Sequence, residues 1–138
     1  MFDELNIYKN YGHFFFRRDV SLKEVSKDVP NLPGVFYIIR LSKGKVELVY
    51  IGKSGPMDQN GKFKGLGLND QLNGTIGEVP TQEFFNLKCK KENIEALDIY
   101  WFVTFDKTVQ DLPTYIEGVI MQDYFDVHGY LPIWNTAY

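Results

Sequence analysis

The sequence predicts an α+β fold, a small central antiparallel three-stranded sheet flanked by helices, in a single domain covering residues 1–138. Two runs of β-branched and aromatic residues are separated by a short polar turn, and a third such run lies much later in the chain. The segments between and after these runs carry helix start and stop signals. With 44% apolar and 16% aromatic residues, the 138-residue chain can build one hydrophobic core.

The three strands are predicted at 34–41, 46–52 and 96–105. The first two, "GVFYIIRL" and "VELVYIG", flank a polar turn at 42–45 and therefore form a β-hairpin. The third, "ALDIYWFVTF", is rich in apolar and aromatic residues, which is typical of a buried strand.

Helices are predicted at 21–28, 68–74 and 112–129, with weaker helical character at 81–95. Ser21 and Glu24 have the spacing of a capping box. Pro113 suits a first helical turn, and Gly129 suits a helix stop. Residues 1–30 are expected to form an N-terminal extension packed on the domain.

The charge is distributed unevenly along the chain. The net charge of −3 does not favour a nucleic-acid partner. Residues 40–64, however, carry a local charge of +4, whereas residues 92–138 carry −7. Any surface that binds anions is therefore expected near 40–64, although the same lysines could simply solvate a hairpin and a loop.

The chain has one cysteine, Cys89, so it has no internal disulfide. A lone thiol without a secretory signal fits a reducing cytoplasm, where we expect this protein to be located. No apolar run approaches the ~20 residues of a membrane-spanning helix, and a membrane partner is not expected.

The Gly-Lys-Ser at 52–54 suggests a nucleotide-binding loop, but its surroundings argue against one. The first glycine of that motif should stand at residue 47, which is Glu47. The Gly-Pro at 55–56 is also a poor beginning for the helix whose N-terminus should receive the phosphates. We therefore reject the nucleotide-binding interpretation.

The same stretch has a second interpretation. The sequence places Gly34 and Phe36 on the first strand of the hairpin and Tyr50-Ile-Gly52 on the second. With "GLNDQLNG", "YIEG" and the terminal "GYLPIWN", which contains Asn135, these segments occur in an order that resembles the GIY-YIG nuclease superfamily. The matching segments cover most of the chain after residue 30.

This resemblance implies a metal-dependent endonuclease that hydrolyses phosphodiester bonds of nucleic acid, with DNA favoured over RNA. Glu117 would hold a single Mg²⁺ or Mn²⁺, and Tyr50 would help to activate the attacking water. Lys53 would contact phosphate and, with Lys62 and Lys64, would bind nucleic acid. Without the resemblance, Glu117 is a solvent-facing helix glutamate, Tyr50 a packed strand aromatic and Lys53 a loop lysine. The resemblance also implies that Asn135 ties the C-terminal tail to the core.

Two positions depart from the family pattern. Phe36 stands where the first motif ends in tyrosine, and it cannot donate a hydrogen bond or lose a proton. Its neighbour Tyr37 points to the opposite face of the strand and cannot replace it without a bulge. Gln71 stands where an arginine is expected, and a neutral amide cannot give the charged bidentate contact.

The departures keep a second function open. The chain could be a catalytically impaired nucleic-acid-binding or protein-interaction module that retains the nuclease fold. Because 138 residues leave little room for a recognition domain, specificity could come from a homodimer or from a partner protein.

Overall fold

A computed structural model describes the whole chain, residues 1–138. After a 3₁₀ helix at Asp3–Ile7, the elements are β1 (Tyr11–Phe16), α1 (Leu22–Val25), β2 (Gly34–Ser42), β3 (Lys45–Lys53), α2 (Leu68–Leu72), β4 (Thr75–Ile76), β5 (Val79–Pro80), α3 (Thr81–Lys91), β6 (Ala96–Val103) and α4 (Pro113–His128). The α+β class, the hairpin and the late strand are as the sequence predicts. None of the helices has the length and apolar character needed to cross a lipid bilayer.

The main sheet has four strands in the order β1-β6-β2-β3, and all neighbours are antiparallel. The prediction of three strands is therefore wrong by one, because β1 lies within the expected N-terminal extension. Its sequence, "YGHFFF", is aromatic but contains a glycine and no β-branched residue, so its strand signal is weaker than that of the other three strands. Gly12 is nonetheless suited to its place, since a Cβ there would lie 2.8 Å from the Trp101 ring.

Each face of the sheet is covered by its own hydrophobic core, because successive strand residues point to opposite sides. One core contains Phe36, and the other contains its neighbour Tyr37 and is covered by α4 and the N-terminal 3₁₀ helix. Tyr37 therefore lies on the other side of the sheet from Phe36, in agreement with strand alternation.

The start of α1 and the end of α4 are each fixed by a residue at the helix terminus. The Ser21 side chain accepts a hydrogen bond from the Glu24 backbone N–H at 3.2 Å, which caps α1. Gly129 has φ = +76° and ends α4 in the left-handed conformation that glycine adopts without steric cost.

The C-terminal tail pairs with part of the β3 edge of the sheet. The side-chain amide of Asn135 accepts a hydrogen bond from the Ile51 N–H at 2.9 Å and donates one to the Ile51 carbonyl at 3.0 Å. The backbone N–H of Trp134 donates to the Val49 carbonyl at 2.9 Å. The outward-facing N–H and carbonyl of Ile51 and the carbonyl of Val49 are thus paired with the tail.

Replacing Asn135 with alanine is expected to lower the free energy of unfolding by about 2 kcal/mol. The reason is that the change leaves the N–H and the carbonyl of buried Ile51 without their side-chain partner. Urea unfolding measures the effect, with the exposed loop variant Asn60→Ala as control, expected within ~0.5 kcal/mol of the unmodified protein. Equal effects of the two changes would contradict this role for Asn135.

Candidate active site

A cleft of about 270 Å³ lies where β2 and β3 meet α2, the start of α3 and the first half of α4. The cleft gathers six of the residues that the sequence singles out: Phe36, Tyr50, Gly52, Lys53, Gln71 and Glu117. Lys62 and Lys64 belong to the loop after β3 and are not among the lining residues.

Two aromatic rings form one wall of the cleft. The ring centroids of Phe36 and Tyr50 lie 6.0 Å apart. A Cβ at Gly52 would lie 2.5 Å from the Phe36 ring and 2.9 Å from the Tyr50 ring. Glycine at this position therefore allows both rings to approach the end of β3.

Ser54 has a structural role at the open end of the β2–β3 hairpin, opposite its turn. Its hydroxyl oxygen accepts a hydrogen bond from the Gly34 N–H at 2.9 Å, and its own N–H donates to the Gly34 carbonyl at 3.0 Å. Ser54 is buried and ties β2 to the end of β3. This geometry agrees with rejecting the nucleotide-binding loop, because the serine of the Gly-Lys-Ser sequence is engaged within the hairpin.

Glu117 is the only carboxylate that lines the cleft, and only 8% of the residue is exposed. Burial raises the pKa of its carboxyl above the ordinary value, since a charge is less stable away from water. The nearby Lys53 ammonium and the Tyr138 hydroxyl, which faces the carboxylate as a donor, partly oppose this shift. No cation lies within ion-pair distance of Glu117.

Tyr50 is a neutral phenol at neutral pH. Burial raises the pKa of its hydroxyl above the ordinary value of 10, and the negative charge of Glu117 raises it further. The phenol can therefore donate or accept a hydrogen bond beside Glu117, but it does not act as a phenolate base while this charge is present.

Two residues at the cleft carry no sequence signal. Thr81 is 1% exposed, lines the cleft and has no hydrogen-bond partner for its Oγ1 atom. Such an orphaned hydroxyl is costly unless water or a ligand satisfies it. Tyr138 lies at the far end of the sequence and reaches Glu117 only through the fold of the tail.

Among the cleft residues, Glu117 is the one that could serve as a ligand to a hard divalent cation. No group of three or more acidic, histidine or cysteine side chains is arranged to hold a metal ion. Mg²⁺ characteristically keeps several waters and takes one or two carboxylates together with substrate phosphate oxygens. A single buried carboxylate without an ion-pair partner, Glu117, provides that kind of site.

Fold and site together define an α+β protein with one carboxylate, one phenol and one ammonium in a small polar cleft at the edge of its sheet. Comparison with protein-family models, with curated proteins and with solved structures found no match to this chain. The functional assignment therefore depends on the chemistry of the cleft and on the sequence motifs.

Removing the charge of Lys53 is expected to raise the pKa of Glu117 further, because the ammonium is the main group that stabilises the carboxylate. A Lys53→Gln variant would then keep Glu117 protonated to a higher pH than the unmodified protein does. A ¹³C NMR titration of the glutamate carboxyls measures the shift. The matched variant Lys62→Gln, outside the cleft, should leave the titration of Glu117 unchanged. An equal shift in both variants would contradict the proximity of Lys53.

Proposed function

We propose that this protein is a divalent-metal-dependent endonuclease that hydrolyses phosphodiester bonds of nucleic acid, with DNA as the favoured substrate. The proposal makes it a divergent member of the GIY-YIG nuclease superfamily. The observation that carries it is the convergence of Tyr50, Lys53 and Glu117 on one cleft, although they are separated by up to 67 residues in the sequence.

Each side chain has a role that suits its surroundings. Glu117 would hold Mg²⁺ or Mn²⁺, which when bound supplies a Lewis acid to the phosphate. The Tyr50 phenol orients the attacking water by hydrogen bonding. Lys53 places a positive charge where negative charge develops on the phosphate oxygens. The orphaned Thr81 hydroxyl could donate to a phosphate oxygen or to a water in the same cleft.

Incubation of supercoiled plasmid with the protein tests the proposal. We expect nicked and then linear products with Mg²⁺ or Mn²⁺, and none when EDTA is present. Loss of the activity in a Glu117→Ala variant would show that the cleavage comes from this protein and not from a contaminating nuclease. Absence of cleavage on plasmid, single-stranded DNA and RNA with either metal would overturn the enzymatic part of the proposal.

One observation favours a second function, a nucleic-acid-binding module without cleavage. Phe36 and Gln71 both line the cleft, where the family pattern would place a tyrosine and an arginine. A module of this kind would bind nucleic acid with strong salt dependence, through Lys53 and the loop lysines Lys62 and Lys64. Salt-dependent binding without cleavage would support this function over the first, and binding that does not depend on salt would contradict it.

A further inference from the structure

The two edges of the sheet differ in whether their outer backbone groups form hydrogen bonds within the chain. The tail pairs with the outer backbone of β3 at Val49 and Ile51, whereas nothing in the chain pairs with the outer backbone of β1. Natural proteins usually protect a free edge with lysine, proline, a bulge or a covering segment. β1, "YGHFFF", has no lysine or proline, and its register with β6 is continuous.

The free backbone groups of β1 belong to alternate residues. The Val103 N–H donates to the Asn10 carbonyl, which makes these two residues a hydrogen-bonded pair of the antiparallel ladder. The alternation that follows directs the backbone groups of Gly12 and Phe14 towards β6. The N–H and carbonyl groups of Tyr11, His13 and Phe15 therefore point away from the sheet.

These same residues expose aromatic side chains on one face of the sheet. Tyr11 is 61% exposed and Phe15 is 42% exposed. The His13 ring stacks on Tyr100 with centroids 4.7 Å apart, and Tyr100 stacks on Tyr37 with centroids 5.1 Å apart. The outer side of His13 is the open end of this row of rings.

We propose that two copies of this chain pair through β1, antiparallel and about a two-fold axis at His13, to form one continuous eight-stranded sheet. This register places Tyr11 of each copy opposite Phe15 of the other, and it joins all three free residues of each strand through six backbone hydrogen bonds. A shift of two residues in either direction keeps fewer of these bonds.

The register also suits the side chains. It places aromatic residues opposite one another on the exposed face, a favourable cross-strand pairing. On the other face Gly12 lies opposite Phe14, so a small residue faces a large one. A second copy is therefore the occupant that this edge fits, because the spacing of its free groups and side chains is self-complementary. The inference does not depend on the proposed function.

The flanking charges give the association a characteristic salt dependence. The same register brings Lys9 of one copy near Arg17 of the other, just beyond the strand ends. Salt screens the repulsion between these cations, so association should strengthen as ionic strength rises. Binding of nucleic acid at this edge would show the opposite trend.

Sedimentation equilibrium over a range of protein concentrations tests the pairing. We expect a monomer–dimer equilibrium whose dissociation constant rises at least ten-fold in Phe15→Lys, which puts a charge on the edge. Val46→Lys, an exposed apolar position on β3 at the opposite edge of the sheet, is the matched control and should leave the constant within two-fold. A monomer at all concentrations, or equal effects of the two variants, would overturn the proposal.

Disulfide trapping tests the register separately. Two His13→Cys chains should cross-link, because hydrogen-bonded antiparallel pairs have Cα atoms about 5.5 Å apart, within the range of disulfides. Phe15→Cys chains should cross-link with Tyr11→Cys chains but not with themselves. The unmodified protein, whose only cysteine, Cys89, is buried, measures the background level of cross-linking. Self-linking of Phe15→Cys as efficient as that of His13→Cys would contradict the two-fold axis at His13.

Discussion

A Glu117→Gln variant is expected to lose metal-dependent cleavage by at least about 10²-fold while its fold becomes more stable at neutral pH. On the proposed function the activity would fall because the amide has no charge with which to bind a divalent cation, and Glu117 is the only carboxylate that lines the cleft. Plasmid nicking with Mg²⁺ and Mn²⁺ measures the loss. The exposed helix variant Glu83→Gln is the isosteric control and should retain full activity.

The gain in stability follows from the direction of the pKa shift. Burial raises the pKa of Glu117, so the folded state favours the protonated carboxyl more than the unfolded state does. The stabilising contribution of the proton is complete below the unfolded pKa and is lost as the pH rises through the folded pKa. At neutral pH the ionised carboxylate therefore costs stability, which glutamine relieves.

We expect Glu117→Gln to raise the free energy of unfolding by about 1 kcal/mol at pH 7.5 and by less at pH 4, where the native carboxyl is largely protonated. Urea unfolding at the two pH values measures the difference. If the variant is less stable than the unmodified protein at pH 7.5, the Glu117 carboxylate stabilises the fold through a contact. That result would contradict the expectation that the buried charge lowers stability.

A Gly34→Ala variant is expected to lose about 3 kcal/mol or more of stability, or to fail to fold. A Cβ at this position would lie 2.0 Å from the Phe102 carbonyl oxygen of β6 and 2.9 Å from the Leu68 side chain. The carbonyl is backbone within a paired strand, so it cannot move without breaking the β2–β6 ladder.

The helical variant Gly118→Ala is the matched control, because its Cβ would meet only the Tyr138 hydroxyl at 3.2 Å. That hydroxyl ends an exposed side chain and can move, so alanine should stabilise α4 by about 0.5–1 kcal/mol. Thermal unfolding of both variants measures the two effects, which have opposite signs. Similar small losses in both would contradict the close backbone approach at Gly34.

Local patterns in the sequence were sufficient for most of the fold. The hairpin could be predicted because its β-branched and aromatic runs flank a polar turn, and α4 because Pro113 and Gly129 mark its ends. β1 could not be predicted in this way. Its partner β6 lies more than 80 residues away, and its glycine is explained only by the Trp101 ring that packs against it.

The sequence predicted the motif residues that line the cleft, but it did not predict the other residues that complete the cleft. Tyr50, Lys53 and Glu117 stand within recognisable segments, and the structure places all three in the cleft. Thr81 and Tyr138 belong to no motif, since their positions depend on how α3 and the tail pack against the hairpin. A residue that reaches the cleft only through tertiary packing has no periodic pattern or motif spacing in the sequence that would reveal it.

The tail that pairs with β3 at Val49 and Ile51 also makes the cleft sensitive to local opening. Between α4 and Tyr138 only Pro132 and Trp134 are buried, so this segment can detach at a lower free energy than global unfolding requires. Detachment would free the Ile51 amide and remove the Tyr138 hydroxyl from Glu117 in one event. The hydrogen-exchange rate of the Ile51 amide is therefore expected to report how often the tail detaches beside the cleft.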